Sequence, residues 1–279
     1  MTMSSVARKT AYTGPVRGVV LDWAGTAVDY GCMGPAAVFV DVFQKFGVTV
    51  TLAETRQFMG LMKKDHLRGM CALPRVAAQW QTAHGRMPNE ADIDALYAET
   101  EPMMVAAIER HADPIPGLLA FVAELRRKGI RIGTSTGYTR PMMEALVPAA
   151  RARGYRPDAV VCPSDVPAGR PYPWMCYLNA IQLQVHPLPA MVKIGDTLSD
   201  VAEGLNAGMW TVGVTRSGNL LGLSPPEIDR LPPDELHSRL RAAEQALQTA
   251  GAHYTVEGIW EALPIIEAIE ARLSAGEQP

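Results

Sequence analysis

The stretch that decides the fold of this chain is Val19-Val20-Leu21-Asp22-Trp23-Ala24-Gly25-Thr26. Three apolar residues with a preference for strands run directly into a carboxylate, and a glycine and a threonine follow it closely. A short, continuously apolar run is typical of a strand buried on both faces in a parallel sheet. Open α/β sheets place their ligands at the carboxyl ends of such strands. The stretch therefore predicts a functional role for Asp22, although an aspartate after a strand is more often a turn residue or helix cap.

Composition restricts the classes of protein that this chain can belong to. At 279 residues, with 48% hydrophobic and 20% charged residues, it resembles an ordinary globular protein with room for a large core. The net charge of −3 without a basic run argues against nucleic acid or an anionic membrane as a partner. With no apolar window of about 18 residues and no signal-peptide core, we expect a cytoplasmic protein. The four cysteines form no CxxC pair, so they indicate neither a zinc site nor a disulfide framework.

The chain between residues 34 and 111 has a helical pattern with no alternating strand. Thr51 with Glu54 predicts a capping box, and Asn89 precedes an acidic first turn. We therefore predict an all-helical cap domain, residues 31–110, inserted into a core formed by residues 1–30 and 111–279. The predicted cap helices cover residues 35–46, 52–59, 61–71, 75–84 and 90–110.

Strands and helices alternate on both sides of the insertion, which predicts an α/β fold. Such alternation favours a doubly wound, mostly parallel, Rossmann-like sheet with right-handed crossovers. Residues 217–233 are rich in Gly, Pro and Leu and are predicted to be an irregular surface excursion. The predicted strands are 17–21, 130–134, 159–161, 191–194, 211–214 and 253–256, and the predicted helices are 118–128, 141–153, 173–183, 201–207, 235–249 and 260–273.

Polar residues follow four of the predicted strands, on the edge where the strands end. Three carboxylates meeting there repel one another unless a cation lies among them, and hard oxygen ligands suit Mg²⁺. A hydroxyl and a guanidinium at the same edge suit phosphate oxygens. Taken singly, the acids and the threonine could be helix caps and the arginine a surface ion-pair residue. The residues concerned are Asp22, Ser135, Thr136, Ser164, Asp165, Arg170, Asp196 and Asp200.

Six segments carry a resemblance to the haloacid dehalogenase superfamily and, within it, to the phosphonatases (phosphonoacetaldehyde hydrolases). The resemblance implies that Asp22 is the nucleophile and that Asp22, the Ala24 carbonyl and Asp196 hold Mg²⁺ with Asp200 in support. It also implies a homodimer that pairs through the cap. The segments are DWAGT (22–26), VDYGC (28–32), MGLMKKDH (59–66), TGYTR (136–140), GRPYPWMCY (169–177) and GDTLSD (195–200).

Two residues depart from an ordinary phosphatase of this superfamily, and each explains the other. Phosphate-ester hydrolases carry a second aspartate at the place of Ala24, where it protonates the leaving group; alanine transfers no proton. Lys63 supplies an amine that can condense with an aldehyde to an iminium, an electron sink that lets a P–C bond break. Helical periodicity alone does not choose between Lys63 and Lys64. A shared face with Met59, His66 and Met70 and the resemblance both favour Lys63.

The resemblance therefore implies hydrolysis of the P–C bond of phosphonoacetaldehyde, a small-molecule phosphonate, to acetaldehyde and phosphate during 2-aminoethylphosphonate degradation. The expected intermediates are a Schiff base on Lys63 and an aspartyl-phosphate on Asp22. The amine needs a pKa lowered by about 3 units, which burial and neighbouring cations can supply. The expected substrate-binding residues are Thr136, Arg170 and Gly60, and the expected supporting residues are His66, Cys32 and Tyr138.

Three alternatives remain open. The chain could be a conventional phosphomonoester phosphatase or phosphomutase of the same superfamily, against which Ala24 counts. It could be a catalytically silent module that binds Mg²⁺ and phosphate. A dinucleotide-binding domain is disfavoured because no GxGxxG follows the first predicted strand.

Overall fold

The computed structural model describes residues 11–279, and at its centre lies a five-stranded sheet. The strands are β1 (Gly18–Leu21), β2 (Arg131–Thr134), β3 (Met191–Gly195), β4 (Trp210–Val214) and β5 (Tyr254–Val256). They lie in the order β2-β1-β3-β4-β5, and every neighbouring pair is parallel. The predicted mostly parallel sheet is confirmed. All four residues of β1 are buried, as its apolar run requires.

Helices cover both faces of the sheet, because alternate residues of each strand point to opposite faces. Val19 and Leu21 share an apolar cluster with Phe121 of one helix, whereas Val20 packs with Ala180 on the other face. The doubly wound α/β architecture is therefore confirmed. None of the helices within residues 11–279 is both long and apolar enough to cross a bilayer. Outside the insertion the helices are α6 (Leu118–Arg127), α7 (Arg140–Ala152), α8 (Trp174–Leu183), α9 (Leu198–Ala207), α10 (Pro225–Ile228), α11 (Pro233–Thr249) and α12 (Ala262–Ser274).

The predicted insertion is helical throughout; we refer to residues 33–108 as the helical insert. The capping box predicted for Thr51 with Glu54 is present, and Asn89, predicted to precede an acidic first turn, forms a second box with Asp92. Apolar side chains of the insert join the same cluster as those on one face of the sheet, so it packs directly against the core. The helices are α1 (Met33–Lys45), α2 (Leu52–Arg56), α3 (Lys63–Ala72), α4 (Pro74–His84) and α5 (Glu90–Ile108).

The predicted strand at residues 159–161 is wrong. Ala159 and Val161 donate backbone hydrogen bonds to β2. The outward N–H groups of β2 are already taken, because Asp158 Oδ2 accepts from Ile132 N at 2.8 Å and Asn179 Oδ1 from Thr134 N at 3.1 Å. Side-chain oxygens thus occupy the donors that a sixth strand would need, and no ladder forms.

The segment 217–233 also differs from its predicted character as a surface excursion. Ser217 and Asn219 are buried, and the Ser217 hydroxyl donates to the Gly25 carbonyl at 2.8 Å. The segment then continues into α10 and reaches the start of α11. Its first residues therefore belong to the edge of the sheet where the strands end, and we call residues 217–222 the β4 loop.

Candidate active site

Three carboxylates meet where β1 and β3 end. Asp22 follows β1 directly, Asp196 follows β3, and Asp200 lies in the first turn of α9. Each is at most 5% exposed, and one oxygen of each lies within 4.8 Å of the others. Parallel strands bring their carboxyl ends to one edge, so residues far apart in sequence converge here.

Burial makes this carboxylate cluster electrostatically costly. Burial, and then the neighbouring Asp200 carboxylate, raise the pKa of Asp22. Burial and the charges of Asp22 and Asp200 raise the pKa of Asp196 well above its usual range. Burial opposes ionisation of Asp200 as well, but the charges of Arg170 and Lys193 outweigh it and lower its pKa. Asp200 is therefore the carboxylate whose charge the protein cations compensate most fully, whereas burial and the neighbouring carboxylates dominate at Asp22 and Asp196.

Arg170 lies wholly buried beneath the nucleophile candidate rather than on the surface. Its Nη2 donates to Asp22 Oδ1 at 2.6 Å and to the Ser135 carbonyl at 2.9 Å. The same nitrogen lies 2.9 Å from Asp200 Oδ1. The alternative of a surface ion-pair arginine is therefore excluded, and the guanidinium fixes one Asp22 oxygen in place.

Sequence reasoning missed two charged residues of this cluster, Lys193 and Glu203. Lys193 Nζ lies 2.7 Å from Asp200 Oδ1 and 3.5 Å from Glu203 Oε2. Glu203 Oε2 also accepts from Arg170 Nε at 2.9 Å and from the Ser135 hydroxyl at 2.8 Å. A lysine in the middle of the apolar run 191–194 was the available signal, because a buried lysine needs an anionic partner.

The cluster is suited to a divalent cation. Four buried carboxylates (Asp22, Asp196, Asp200 and Glu203) outnumber the buried cations, which are Arg170 and Lys193 among them and Lys63 above them. Asp200 already accepts from Lys193 with Oδ1 and from Thr197 with Oδ2. Asp22 and Asp196, the carboxylates with raised pKa values, are therefore the ones best placed to contact a metal ion directly, with Asp200 behind them.

Lys63, the first residue of α3, lies in the cavity above these carboxylates. It is 2% exposed, and its Nζ lies 4.8 Å from the ring centroid of Tyr138 and 5.6 Å from that of Phe39. Burial lowers the pKa of Lys63 to about 8. Lys64 points away and pairs with Asp94, its side chain 37% exposed. Of the two adjacent lysines, only Lys63 reaches the site.

Of the cavities between the helical insert and the core, a small one lies over the carboxylates. Its volume is about 20 Å³, room for roughly one water molecule. The insert therefore lies closed over the carboxylates, and this cavity has no room for a molecule much larger than water. The residues that line the cavity are Asp22, Ala24, Cys32, Pro35, Met59, Gly60, Lys63, Thr136, Gly137, Tyr138, Asp196 and Thr197.

Gly60 carries the insert close to the core. It has a φ of +86°, and a Cβ there would lie 2.4 Å from Ser199 Oγ and 2.5 Å from Thr197 Oγ1. Its carbonyl accepts a long hydrogen bond of 3.4 Å from Arg170 Nη1. Only glycine combines this backbone conformation with such a close approach.

The three residues expected to support the site all lie around Lys63 or Asp196. Cys32 Sγ lies 3.3 Å from Asp196 Oδ2, and burial followed by that carboxylate keeps its pKa high, so it donates as a thiol. Tyr138 N donates to Thr136 Oγ1 at 3.1 Å. His66 stacks on Phe39 at 3.9 Å between centroids, and neither ring nitrogen has a hydrogen-bond partner in the described part of the chain. Burial lowers the pKa of His66, which keeps it neutral.

Two of the polar residues predicted at strand ends lie away from the cavity. Ser164 accepts from the Arg140 backbone N–H, and Asp165 pairs with the Arg140 side chain. Both are displaced because residues 159–161 do not form a strand. Asn219 of the β4 loop, not anticipated from sequence, takes a place at the site instead, since its N–H donates to Asp196 Oδ2 at 2.7 Å.

The sequence and the fold were compared with those of known proteins. The family model "haloacid dehalogenase-like hydrolase" matches residues 16–208. A protein named phosphonoacetaldehyde hydrolase from Nitratidesulfovibrio vulgaris is 56% identical, with 99% of each chain covered. One of the same name from Bacillus cereus is 48% identical over 91% of this chain and 97% of its own length. The crystal structure of a phosphonoacetaldehyde hydrolase-like protein from Oleispira antarctica superposes with a TM-score of 0.96 at 38% identity, covering 99% of this chain and 100% of that one.

Proposed function

The chain belongs to the haloacid dehalogenase-like hydrolase family, and we propose that it hydrolyses the P–C bond of phosphonoacetaldehyde to acetaldehyde and phosphate. The observation that carries the proposal is one closed cavity lined by an amine, Lys63, and a carboxylate, Asp22, with Ala24 where a phosphatase would hold its acid. An amine suits an aldehyde, and a carboxylate suits phosphorus. The relatives named for this reaction, 48–56% identical, support the choice of substrate.

The amine acts first in the proposed sequence. The neutral Lys63 nitrogen adds to the aldehyde carbon to give a carbinolamine, whose hydroxyl takes a proton from solvent and leaves as water, and a protonated imine remains. With a pKa of about 8, roughly a tenth of Lys63 is neutral at pH 7, against about one in 3,000 for a lysine with the ordinary value. Burial between the rings of Phe39 and Tyr138 thus gives the amine its reactivity.

Asp22 then attacks phosphorus. As its oxygen bonds to phosphorus, the P–C bond breaks and its electron pair moves into the imine to give an enamine. No proton is needed on the leaving carbon at that moment, which is consistent with the alanine at position 24. Water afterwards releases phosphate from the aspartyl-phosphate, and the enamine is protonated on carbon and hydrolysed to acetaldehyde and free Lys63.

The remaining residues hold and orient the substrate. Thr136 lines the cavity, and Arg170 fixes Asp22 Oδ1 so that the other oxygen is free to attack. Asp22, Asp196 and the Ala24 carbonyl would hold Mg²⁺ with Asp200 in support. The ion would supply positive charge to the phosphonate oxygens and relieve the repulsion between the carboxylates. Closure of the helical insert as a cap (residues 31–110 on a core of 1–30 and 111–279) excludes water and strengthens these interactions. We further propose that two copies of the chain form a homodimer through the cap.

Product analysis tests the reaction directly. Incubation with phosphonoacetaldehyde should release acetaldehyde and phosphate in equal amounts, and EDTA should abolish both until Mg²⁺ is restored. Turnover of simple phosphomonoesters without P–C cleavage would support the conventional phosphatase instead. Binding of the phosphonate without any turnover would support a silent binding module.

A further inference from the structure

Arg56, the last residue of α2, reaches from the helical insert onto the core. Its Nη2 donates to the Gly222 carbonyl at 2.8 Å, and its Nη1 donates to Asn219 Oδ1 at 3.2 Å. Nη1 also donates to the carbonyl of Gly31, in the segment before α1, at 2.8 Å. The Asn219 side chain also donates to Arg56, from its Nδ2 to the Arg56 carbonyl at 2.9 Å. The guanidinium therefore joins α2 to the β4 loop by a reciprocal set of bonds.

The acceptors around Arg56 distinguish it from the other arginines of the insert. Arg68, Arg75 and Arg86 each pair with a carboxylate of the insert itself. Arg56 has no carboxylate partner within residues 11–279. The oxygens that accept its hydrogen bonds are backbone and amide oxygens outside the insert helices, and within the insert only the Met33 sulfur lies near it, at 3.6 Å from Nη2. The β4 loop is shaped for it: Gly222 has a φ of +64°, and a Cβ there would lie 2.6 Å from the guanidinium.

The hydrogen bonds between Arg56 and the β4 loop connect two parts of the site. Asn219, which binds Arg56 with its side chain, binds Asp196 Oδ2 with its backbone N–H at 2.7 Å. On the insert side, only the short turn 57–62 separates Arg56 from Lys63. The hydrogen bonds that the turn itself accepts from the core are long. Ser199 Oγ donates to the Met59 carbonyl at 3.5 Å, and Arg170 Nη1 donates to the Gly60 carbonyl at 3.4 Å. The bonds of Arg56 are the shorter ones.

We propose that Arg56 is a positioning residue that latches the closed insert onto the β4 loop and so places Lys63 over Asp22. The inference rests on the proposed function for its catalytic consequence. Arg56 touches neither the cavity nor the reacting atoms; it acts by fixing the turn that carries Gly60 and Lys63.

The test compares three variants with the wild type. Arg56→Met removes the donors but keeps an apolar stem. Asn219→Ala removes the side-chain half of the latch but keeps the backbone N–H that donates to Asp196. Arg75→Met, the matched control, removes an arginine whose bonds to Glu54 and the Thr49 carbonyl stay inside the insert.

Two kinds of measurement, of activity and of amide hydrogen exchange, are made on each protein. Reductive trapping of Lys63 with phosphonoacetaldehyde and steady-state release of acetaldehyde should both slow on the order of 10- to 100-fold in Arg56→Met and Asn219→Ala, the effect of losing charge-assisted hydrogen bonds. Amide hydrogen exchange without substrate should accelerate in residues 57–62 and in the β4 loop while β1 and β3 keep their protection, which shows an intact fold. Arg75→Met should match the wild type in both.

The outcomes separate the latch from the proposed function. Wild-type rates and unchanged exchange in Arg56→Met would overturn the latch. A wild-type protein that neither forms an adduct nor releases acetaldehyde would overturn the proposed function. The exchange experiment would still decide the latch in that case, since it needs no substrate. Loss of protection in β1 and β3 as well would show general destabilisation and would also count against it.

Discussion

The pH dependence of imine formation at Lys63 follows directly from how the insert buries this residue. Burial lowers the pKa of Lys63 to about 8, and the facing groups Asp22, Cys32, Arg170 and Asp29 modify that effect. Only the neutral amine adds to an aldehyde. Between pH 7 and pH 9 the neutral fraction therefore rises from about one tenth to about nine tenths and then levels off. A lysine with the ordinary pKa would gain about a hundredfold over the same interval and would still be rising.

The assay is reductive trapping with phosphonoacetaldehyde and cyanoborohydride from pH 7 to pH 10, with the adduct located by peptide mass spectrometry. The rate of labelling at Lys63 should rise about tenfold and reach a plateau above pH 9. Lys64, the next residue of α3, pairs with Asp94 on the surface; it is the internal control and should show no such plateau. Labelling of Lys63 that keeps rising about tenfold per pH unit through pH 10 would refute the argument that burial activates this amine.

Four further predictions follow from single contacts. Gly60→Ala should lower kcat at least about tenfold with little loss of folding, because its Cβ would collide with Ser199 and Thr197 in the closed state; steady-state kinetics and thermal unfolding separate the two effects. Lys193→Met should cost about 3–5 kcal/mol in urea unfolding, since Asp200 and Glu203 lose a buried partner; a cost below about 1 kcal/mol would contradict the ion-pair assignment. Addition of Mg²⁺ at 100 times its Kd should raise the free energy of unfolding by about 2.7 kcal/mol, and an unchanged unfolding midpoint would count against a metal site. Acidification should destabilise the protein through Asp200, because folding lowers the pKa of this carboxyl. Its contribution to stability is complete above the pKa of the unfolded state, near 3.8, and is lost as the pH falls through the lower pKa of the folded state. In acid unfolding, the free energy of unfolding of Asp200→Asn should therefore depend less steeply on pH than that of the wild type.

The sheet could be predicted because its determinants are local. The apolar runs at 19–21 and 191–194 end in carboxylates, and parallel pairing needs nothing more to bring Asp22 and Asp196 to one edge. The capping box at Thr51 and the acidic turn after Asn89 were equally local, because each is decided within four residues.

The errors concern features decided by contacts between different elements of the fold. Residues 159–161 have strand composition, but Asp158 and Asn179 take the N–H groups of β2 that a further strand would need. Lys193 lies in a run that predicts a buried strand, and its carboxylate partners become neighbours only when α9 folds back on β3. No periodicity in the sequence reports such a contact.

The β4 loop shows the same limit. Its composition indicates an exposed segment, yet Ser217 is held by Gly25, and Asn219 by Asp196 and Arg56. Those partners lie more than 20 residues away in sequence, up to 192 for the bond from Ser217 to Gly25. Lys63 and Asp22 could be proposed as amine and nucleophile from the sequence, whereas the bonds that hold their surroundings together required the structure.

The most direct test of the central claim, that Lys63 and Asp22 act on the same substrate molecule, is the chemical identity of the group left on Lys63 after reductive trapping. In the wild type, P–C cleavage precedes most trapping, so Lys63 should carry an ethyl group. In Asp22→Asn the imine should form but the P–C bond should survive, so the same lysine should carry a phosphonoethyl group. An ethyl group on Lys63 of Asp22→Asn, or release of acetaldehyde by a wild-type protein that never labels Lys63, would contradict the account.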